Sequence, residues 1–251
     1  MSEQLEQQKE TFVSHLVELR NRLLWASGAV LVVFVCLVPF ASELYHWFAE
    51  PLLRSLPEGG NMIAIDPHGT FFIPFKLAFA CAFAISVPWV LYQIWAFVAP
   101  GLYKNEKRIV VPLIVSSTLL FYLGVLFAYY VVFPLIFDFF AKMTPEGVAL
   151  TPDIGSYMSF ALSLFFAFGI AFEVPVAIVL LSRMGVISAE GIAKQRPYFI
   201  LGAFVIGMLM TPPDPFSQVM LAVPVCLLFE IGLFFARRLE KNRATTTQEE
   251  T

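Results

Sequence analysis

Polar and apolar residues segregate along this chain in long blocks. Six apolar runs stand out, at residues 23–40, 77–99, 109–137, 154–181, 197–210 and 215–236. About 20 apolar residues cross a hydrocarbon core of ~30 Å, so the first four are read as transmembrane helices. The fifth run has 14 residues, or about 21 Å of helix. The sixth has 15 residues before Glu230 interrupts it, and "TPPDP" joins the pair. These two are read as short spans that tilt little or thin the bilayer, with a re-entrant pair as the alternative. The predicted fold is all-α, a polytopic integral membrane protein of six transmembrane helices, the last two short. Pro39, Pro74, Pro88, Pro112, Pro134, Pro175 and Pro224 fall in or beside the runs. Each removes a backbone donor and tends to kink its helix, so the bundle is expected to be kinked and curved. Three regions follow: an amphipathic N-terminal segment at 1–22, a membrane domain at 23–236 and a disordered, charged, Thr-rich tail at 237–251.

Charge placement supplies orientation. With the N-terminus inside, the inner segments hold Lys9, Arg20, Arg22, Lys104, Lys107, Arg108, Arg183, Lys194, Arg196, Arg237, Arg238, Lys241 and Arg243, and the outer ones only Arg54, Lys76 and Lys142. That asymmetry is the positive-inside bias, and an even number of spans puts both termini on the inner side. Trp25, Trp47 and Trp95 lie near the expected interfaces, where aromatic anchors collect.

Composition agrees: 59% of the 251 residues are hydrophobic and 14% charged, against about 45–50% and ~25% in soluble proteins. A net charge of −3 offers no basic face for nucleic acid. Cys36, Cys81 and Cys226 are odd in number, far apart and in apolar sequence, so they are expected as small buried hydrophobes and not as disulfides or metal ligands. No GxxxxGK[ST] or HExxH occurs, and His15, His46 and His68 are isolated. The chain is therefore not expected to be an enzyme or to hold a cofactor or metal. Its work must draw on a gradient or on partners.

Four polar features remain. In "SHLVELRNRLL" (14–24), Ser14 is placed to cap a helix leading into the first span, and His15, Glu18 and Arg22 share one face. Two readings are open for Glu18: an intrahelical pair with Arg22, worth about 0.2–0.5 kcal/mol, or a carboxylate offered to a cationic ligand. In "FVAPGLYKNEKRIVVP" (97–112), Glu106 sits among Lys104, Lys107 and Arg108, as an acid does in an ordinary basic loop, where it forms a solvated surface pair. In "MLMTPPDPFSQ" (208–218) the prolines build a rigid turn, Asp214 is placed to cap the last span, and Thr211 and Gln218 lie where side chains bond other helices. Pro51, in "AEPLL", is expected to be structural in the first outer loop. Finally, "GIAFEVPVAIVLL" (169–181) holds Glu173 in mid-span. A charge there costs about 2.5–3.5 kcal/mol on insertion scales and faces an interior or a cavity. Glu173 is either a structural interhelical bond or a functional intramembrane polar site.

Taken together, "SHLVELRNRL", "FVAPGLYKNEKR", "GIAFEVPVAIVLL" and "TPPDPFSQ" resemble TatC, the multi-span core subunit of the twin-arginine protein translocase. The resemblance covers about residues 12 to 237. It implies a receptor for signal peptides bearing two adjacent arginines, read by Glu18 and Glu106 with Leu19, Arg20 and Phe97 nearby. It also implies a docking patch at Met208, Thr211 and Gln218 for TatB-like and TatA-like single-span partners. An oligomeric complex in the bacterial inner membrane, driven by the proton motive force, is the expected setting. The rival expectation is a proton-coupled secondary transporter using Glu173.

Overall fold

The computed structural model describes residues 2–55, 63–98, 107–143, 153–210 and 215–249. Ten α-helices occur among these residues: α1 (Ser2–Leu37), α2 (Ala41–Ser55), α3 (Pro67–Val98), α4 (Lys107–Phe127), α5 (Phe133–Met143), α6 (Ile154–Ala171), α7 (Val174–Arg183), α8 (Ala189–Lys194), α9 (Arg196–Met210) and α10 (Pro215–Glu249). The only extended pairing among them is a single parallel bridge between Ile63 and Asp153. Five stretches are long and apolar enough to cross a membrane: Val13–Phe48, Gly69–Val98, Val111–Phe139, Ile154–Arg183 and Pro215–Asn242, with Arg196–Met210 as a shorter apolar helix. The six apolar runs thus become six helical stretches; the fifth is short as expected, whereas the sixth, also expected to be short, runs through Glu230 as a 28-residue stretch.

The prolines explain the seams between elements. Pro74 and Pro88 lie within α3, Pro112 within α4 and Pro224 within α10, and each helix runs on through them. Pro39 sits in a 3₁₀ turn, Val38–Phe40, between α1 and α2. A π turn at Ala128–Val132 precedes Pro134, where an extra residue in the ladder makes room for a ring that cannot donate. Pro175 stands in the first turn of α7, where a missing N–H costs least.

Four local expectations change. α1 is continuous from Ser2, so Ser14 is interior to a helix and not its cap. α10 is continuous to Glu249, so the segment expected as a disordered tail continues the last span as helix. Its Arg, Leu, Glu and Lys residues favour helix, and Glu240 ties it to the α7–α8 turn. Trp95 is buried at 7% exposure, while Trp25 and Trp47 are exposed; Cys36 is exposed as well.

The chain forms two compact units, Met1–Arg54 with Phe71–Val115, and Ser55–Thr70 with Ser116–Thr251. In the first, α1 exposes Leu23, Leu24, Trp25, Leu31 and Val32, while Ala26 and Val30 are buried. Phe34 meets Phe79 of α3 edge-on at 5.7 Å between ring centroids. In the second, Ile178, Ala189, Ile192, Phe229, Leu233 and Ala236 make one buried cluster from α7, α8 and α10.

Lipid tails are as apolar as leucine, so helices associate through close packing and polar bonds. Glycines supply the closeness in the second unit. A Cβ on Gly124 would stand 2.5 Å from the Phe168 carbonyl oxygen, one on Gly169 2.6 Å from Phe121 and one on Gly232 2.8 Å from Pro175 Cα. The α4–α6 and α7–α10 crossings both depend on a missing side chain. Gly185 ends α7 at φ 71°. There Val186 N–H donates to Leu181 O and Gly185 N–H to Ser182 O, the Schellman pattern that satisfies a helix's last carbonyls.

At the start of α6, Asp153 is the helix cap. Its Oδ2 accepts from Ser156 N and Ser156 Oγ, both at 2.8 Å, and its Oδ1 accepts from Ile65 N at 3.1 Å. Ile154 N–H donates to Ile63 O at 3.0 Å. One carboxylate thereby fastens the 63–66 stretch to the head of α6. The N–H groups of Ser156 and Ile65 hold its pKa below the ordinary 3.8.

Two tests follow from this packing. Gly124→Val should destabilise the purified protein by about 1–3 kcal/mol, as overpacking does, whereas Gly28→Ala, whose Cβ meets nothing within 4 Å, should not; equal unfolding midpoints in detergent would contradict the close crossing. Because the folded pKa of Asp153 is depressed, its stabilisation is full above the ordinary 3.8 and fades as pH falls through the lower folded value. The gap in melting temperature between wild type and Asp153→Asn should therefore be present at pH 6 and shrink on acidification below about pH 4; a gap that widens on acidification would contradict it.

Candidate functional site

The first polar site lies where α1 meets the end of α3. Helical spacing places His15, Glu18 and Arg22 on one face of α1. His15 stacks on Phe97 at 4.4 Å between centroids and 16° between planes, bringing the expected Phe97 to the expected Glu18 face. Arg22 donates to Glu18 Oε1 twice, from Nε at 2.9 Å and from Nη2 at 2.7 Å. Its Nη1 lies 3.5 Å from Oε1 of Gln93, a buried residue of α3. Around this pair opens a groove of about 590 Å³ whose lining includes Glu18, Arg22, Trp25, Trp89, Tyr92 and Gln93. Glu18 and Arg22 keep 40% and 27% of their side-chain exposure, so both can be reached from solvent. Leu19 and Arg20 are exposed beside them. Glu106 lies outside the described residues.

The second site is in mid-span. Two turn residues, Phe172 and Glu173, separate α6 from α7, because the chain approaches Pro175. Phe172 N–H still donates to Phe168 O and Glu173 N–H to Ile170 O, both at 3.0 Å. Glu173 thus stands at the head of α7, and its Oε2 accepts from Ser117 Oγ of α4 at 2.6 Å. Its Oε1 is buried with no partner among the described residues. Ser117 is fully buried. The expected intramembrane polar site is therefore a bond between two helices with one acceptor left over.

A third set lies on α9 and α10. Gln218 Nε2 donates to Phe204 O at 2.8 Å, and Phe216 stacks on Phe139 of α5 at 3.7 Å. Met208 is 55% exposed. Gln218 thus spends one amide N–H on the neighbouring helix, while the Met208 side chain is exposed. Thr211 and Asp214 lie outside the described residues; Pro51 lies within α2, and nothing is described of its side chain. Further along, Arg196 Nη2 meets Glu230 Oε2 at 2.7 Å. Glu240 Oε1 accepts from Ser182 Oγ at 2.7 Å and Ala189 N at 2.8 Å.

Sequence reasoning passed over Ser117, Gln93, Glu240 and the Arg196–Glu230 pair. Their partners lie 34 to 71 residues away along the chain, beyond any helical period. The one available signal was polarity itself: a serine or glutamine inside an apolar run has to find a partner.

These features define a polytopic helical membrane protein with a polar groove where α1 meets the end of α3 and a carboxyl in mid-span. The family model for Sec-independent protein translocase protein (TatC) matches residues 14–224. The Sec-independent protein translocase protein TatC of Escherichia coli (strain K12) is 57% identical over 228 residues, covering 91% of this chain and 88% of that protein. The TatC of Haemophilus influenzae is 55% identical over 230 residues, covering 92% and 90%. A solved structure, "Crystal Structure of Twin Arginine Translocase Receptor- TatC", superposes with a TM-score of 0.81 at 42% identity, covering 89% of this chain and 98% of that one. The chain belongs to the TatC family, and is a multi-pass membrane component of a protein translocase, not an enzyme.

The mid-span bond yields a test. Glu173→Gln keeps an acceptor for Ser117 and should retain near-wild-type stability. Glu173→Leu and Ser117→Ala each remove the bond and should cost about 0.6–2 kcal/mol, the range of interhelical bonds in membranes. Unfolding titrations of the purified variants measure this, and a Gln variant as unstable as the Leu one would show that the acid itself is needed.

Proposed function

We propose that this chain is the receptor and assembly subunit of a twin-arginine translocase in the bacterial inner membrane, with both termini on the cytoplasmic side. The observation that carries the reading is the half-exposed Glu18 carboxylate at the α1–α3 groove, set beside Phe97 through the His15 stack. A carboxylate and a guanidinium pair by two parallel, charge-assisted bonds. A lysine offers a point charge without the planar fork and makes a poorer ligand. Two arginines in a signal peptide call for two acids, and Glu106, in the sequence between α3 and α4, is the second. The aromatic wall of Trp25, Trp89 and Tyr92 would take the ligand's apolar side. Positive charge concentrated on one set of loops supports the orientation.

The remaining roles follow the family. Single-span TatB-like and TatA-like partners dock on the α9–α10 hairpin, through Met208, Thr211 and Gln218, and Glu173 offers its unused oxygen to an inserted polar group. Moving one charge through 100 mV supplies about 2.3 kcal/mol, so export of folded cargo by the proton motive force requires several charges. A proton-coupled transporter is the second reading, favoured only by the unpartnered Glu173 oxygen.

Photocrosslinking from residues 19 and 97, beside the two acids, to a twin-arginine signal peptide tests the main reading. Glu18→Ala and Glu106→Ala should each weaken peptide binding by about tenfold, since bonds to charged groups are worth about 1.5–3 kcal/mol. Wild-type crosslinking in the double variant would overturn the receptor role. Solute uptake by vesicles holding this chain alone would favour the transporter.

A further inference from the structure

The Glu18 carboxylate is already occupied. Arg22 holds it with two charge-assisted bonds, 2.9 Å from Nε and 2.7 Å from Nη2, both on Oε1. A guanidinium arriving from a ligand therefore meets its own chemical equivalent in place. The exchange is feasible only if the displaced group has somewhere to go, because a cation turned away from its acceptor into a half-buried groove loses its bonds. The groove supplies that place. Arg22 Nη1 already lies 3.5 Å from Gln93 Oε1, at the outer limit of a hydrogen bond, and a modest swing shortens it. Trp25, Trp89 and Tyr92 line the same groove, and an aromatic face holds a guanidinium well. Gln93 is 7% exposed on α3, so little of it is open to water.

We propose that Arg22 is a built-in occupant of the ligand carboxylate, a regulator of the site, and that Gln93 is the post onto which it turns when a ligand guanidinium takes its place. The inference rests on the reading of Glu18 as an arginine reader. Displacement costs every ligand the same free energy, so it does not by itself change the ratio of arginine to lysine affinities. It lowers all affinities together, and ligands that make a single-point ammonium contact fall below useful occupancy first. The site is thereby guarded against stray cationic segments without a second recognition element. It also follows that two residues which need not touch the ligand act on its affinity with opposite signs.

The test uses the full-length chain in lipid nanodiscs and a fluorescently labelled twin-arginine signal peptide, with Kd read by anisotropy. Arg22→Lys keeps the charge and the stem but loses the fork, and should bind the peptide more tightly, by up to about twofold. Arg22→Gln should do the same. Gln93→Leu deprives the displaced guanidinium of its acceptor and should bind about two- to fivefold more weakly. In a Glu18→Gln background, Arg22→Lys should bring no gain, since nothing is left to vacate; this cycle isolates the pair from any general change in the fold. Tightening in Arg22→Gln without tightening in Arg22→Lys would mean plain charge repulsion and would overturn the inference. So would equal gains with and without Glu18. Both outcomes leave the arginine-reading role intact, provided Glu18→Ala weakens the wild-type chain. A Glu18→Ala chain that binds like wild type overturns that underlying role, and the occupancy inference with it.

Discussion

Inside a bilayer no water is at hand to repair a broken helix, so every freed backbone group must find a partner within the protein. The fourth span shows what this constraint produces. Pro175 cannot donate, and the chain answers with a two-residue turn in which Phe172 and Glu173 bond back to Phe168 and Ile170. That repair ends one helix and starts another with Glu173 at its head. The carboxyl is thereby aimed across the helix pair at Ser117, away from the ladder of its own helix. The mid-span site is a consequence of how the kink is repaired.

The same span needs glycine on either side of the turn. Gly124 admits the Phe168 carbonyl one turn before the break, and Gly232 admits Pro175 itself. A side chain at Gly124 would press on the Phe168 carbonyl and push α4 from α6, straining the 2.6 Å bond from Ser117 to Glu173, while one at Gly232 would push α10 from α7. Proline sets the direction of the carboxyl, glycine the distance, and serine the partner.

Periodicity and block pattern made the spans legible, since length and hydropathy are one-dimensional properties of the chain. They also made Glu173 and Glu18 visible, because an acid in or beside an apolar run is costly. What could not be read was pairing. Ser117 looks like any in-span serine until a residue 56 positions away is laid against it. Gln93 and Arg22 are separated by 71 positions. The tail misled for a related reason: composition after Ala236 is that of a solvated segment, but Glu240 accepts two bonds from the α7–α8 turn, and that anchor lets the last span run on as helix. Glu18 is ambiguous in a different way, because its spacing to Arg22 fits an intrahelical pair and its place at the helix surface fits a ligand site.

The geometry makes those two readings compatible. An i, i+4 pair is weak enough to open, at about 0.2–0.5 kcal/mol on an exposed helix, yet it keeps the carboxylate in one rotamer and hydrogen-bonded between ligands. A stronger, buried pair would hold its carboxylate beyond a ligand's reach, since breaking one costs about 3–5 kcal/mol. The half-exposed position of Glu18 and Arg22 at the rim of the groove therefore matters more than the charges themselves. Glu173 has the opposite arrangement. Its bond to Ser117 is buried and neighbours a second, unsatisfied oxygen, so a group that enters the span can add a bond without displacing one. Exchange suits a site that must release its ligand to solvent, and addition suits one that holds a helix within lipid.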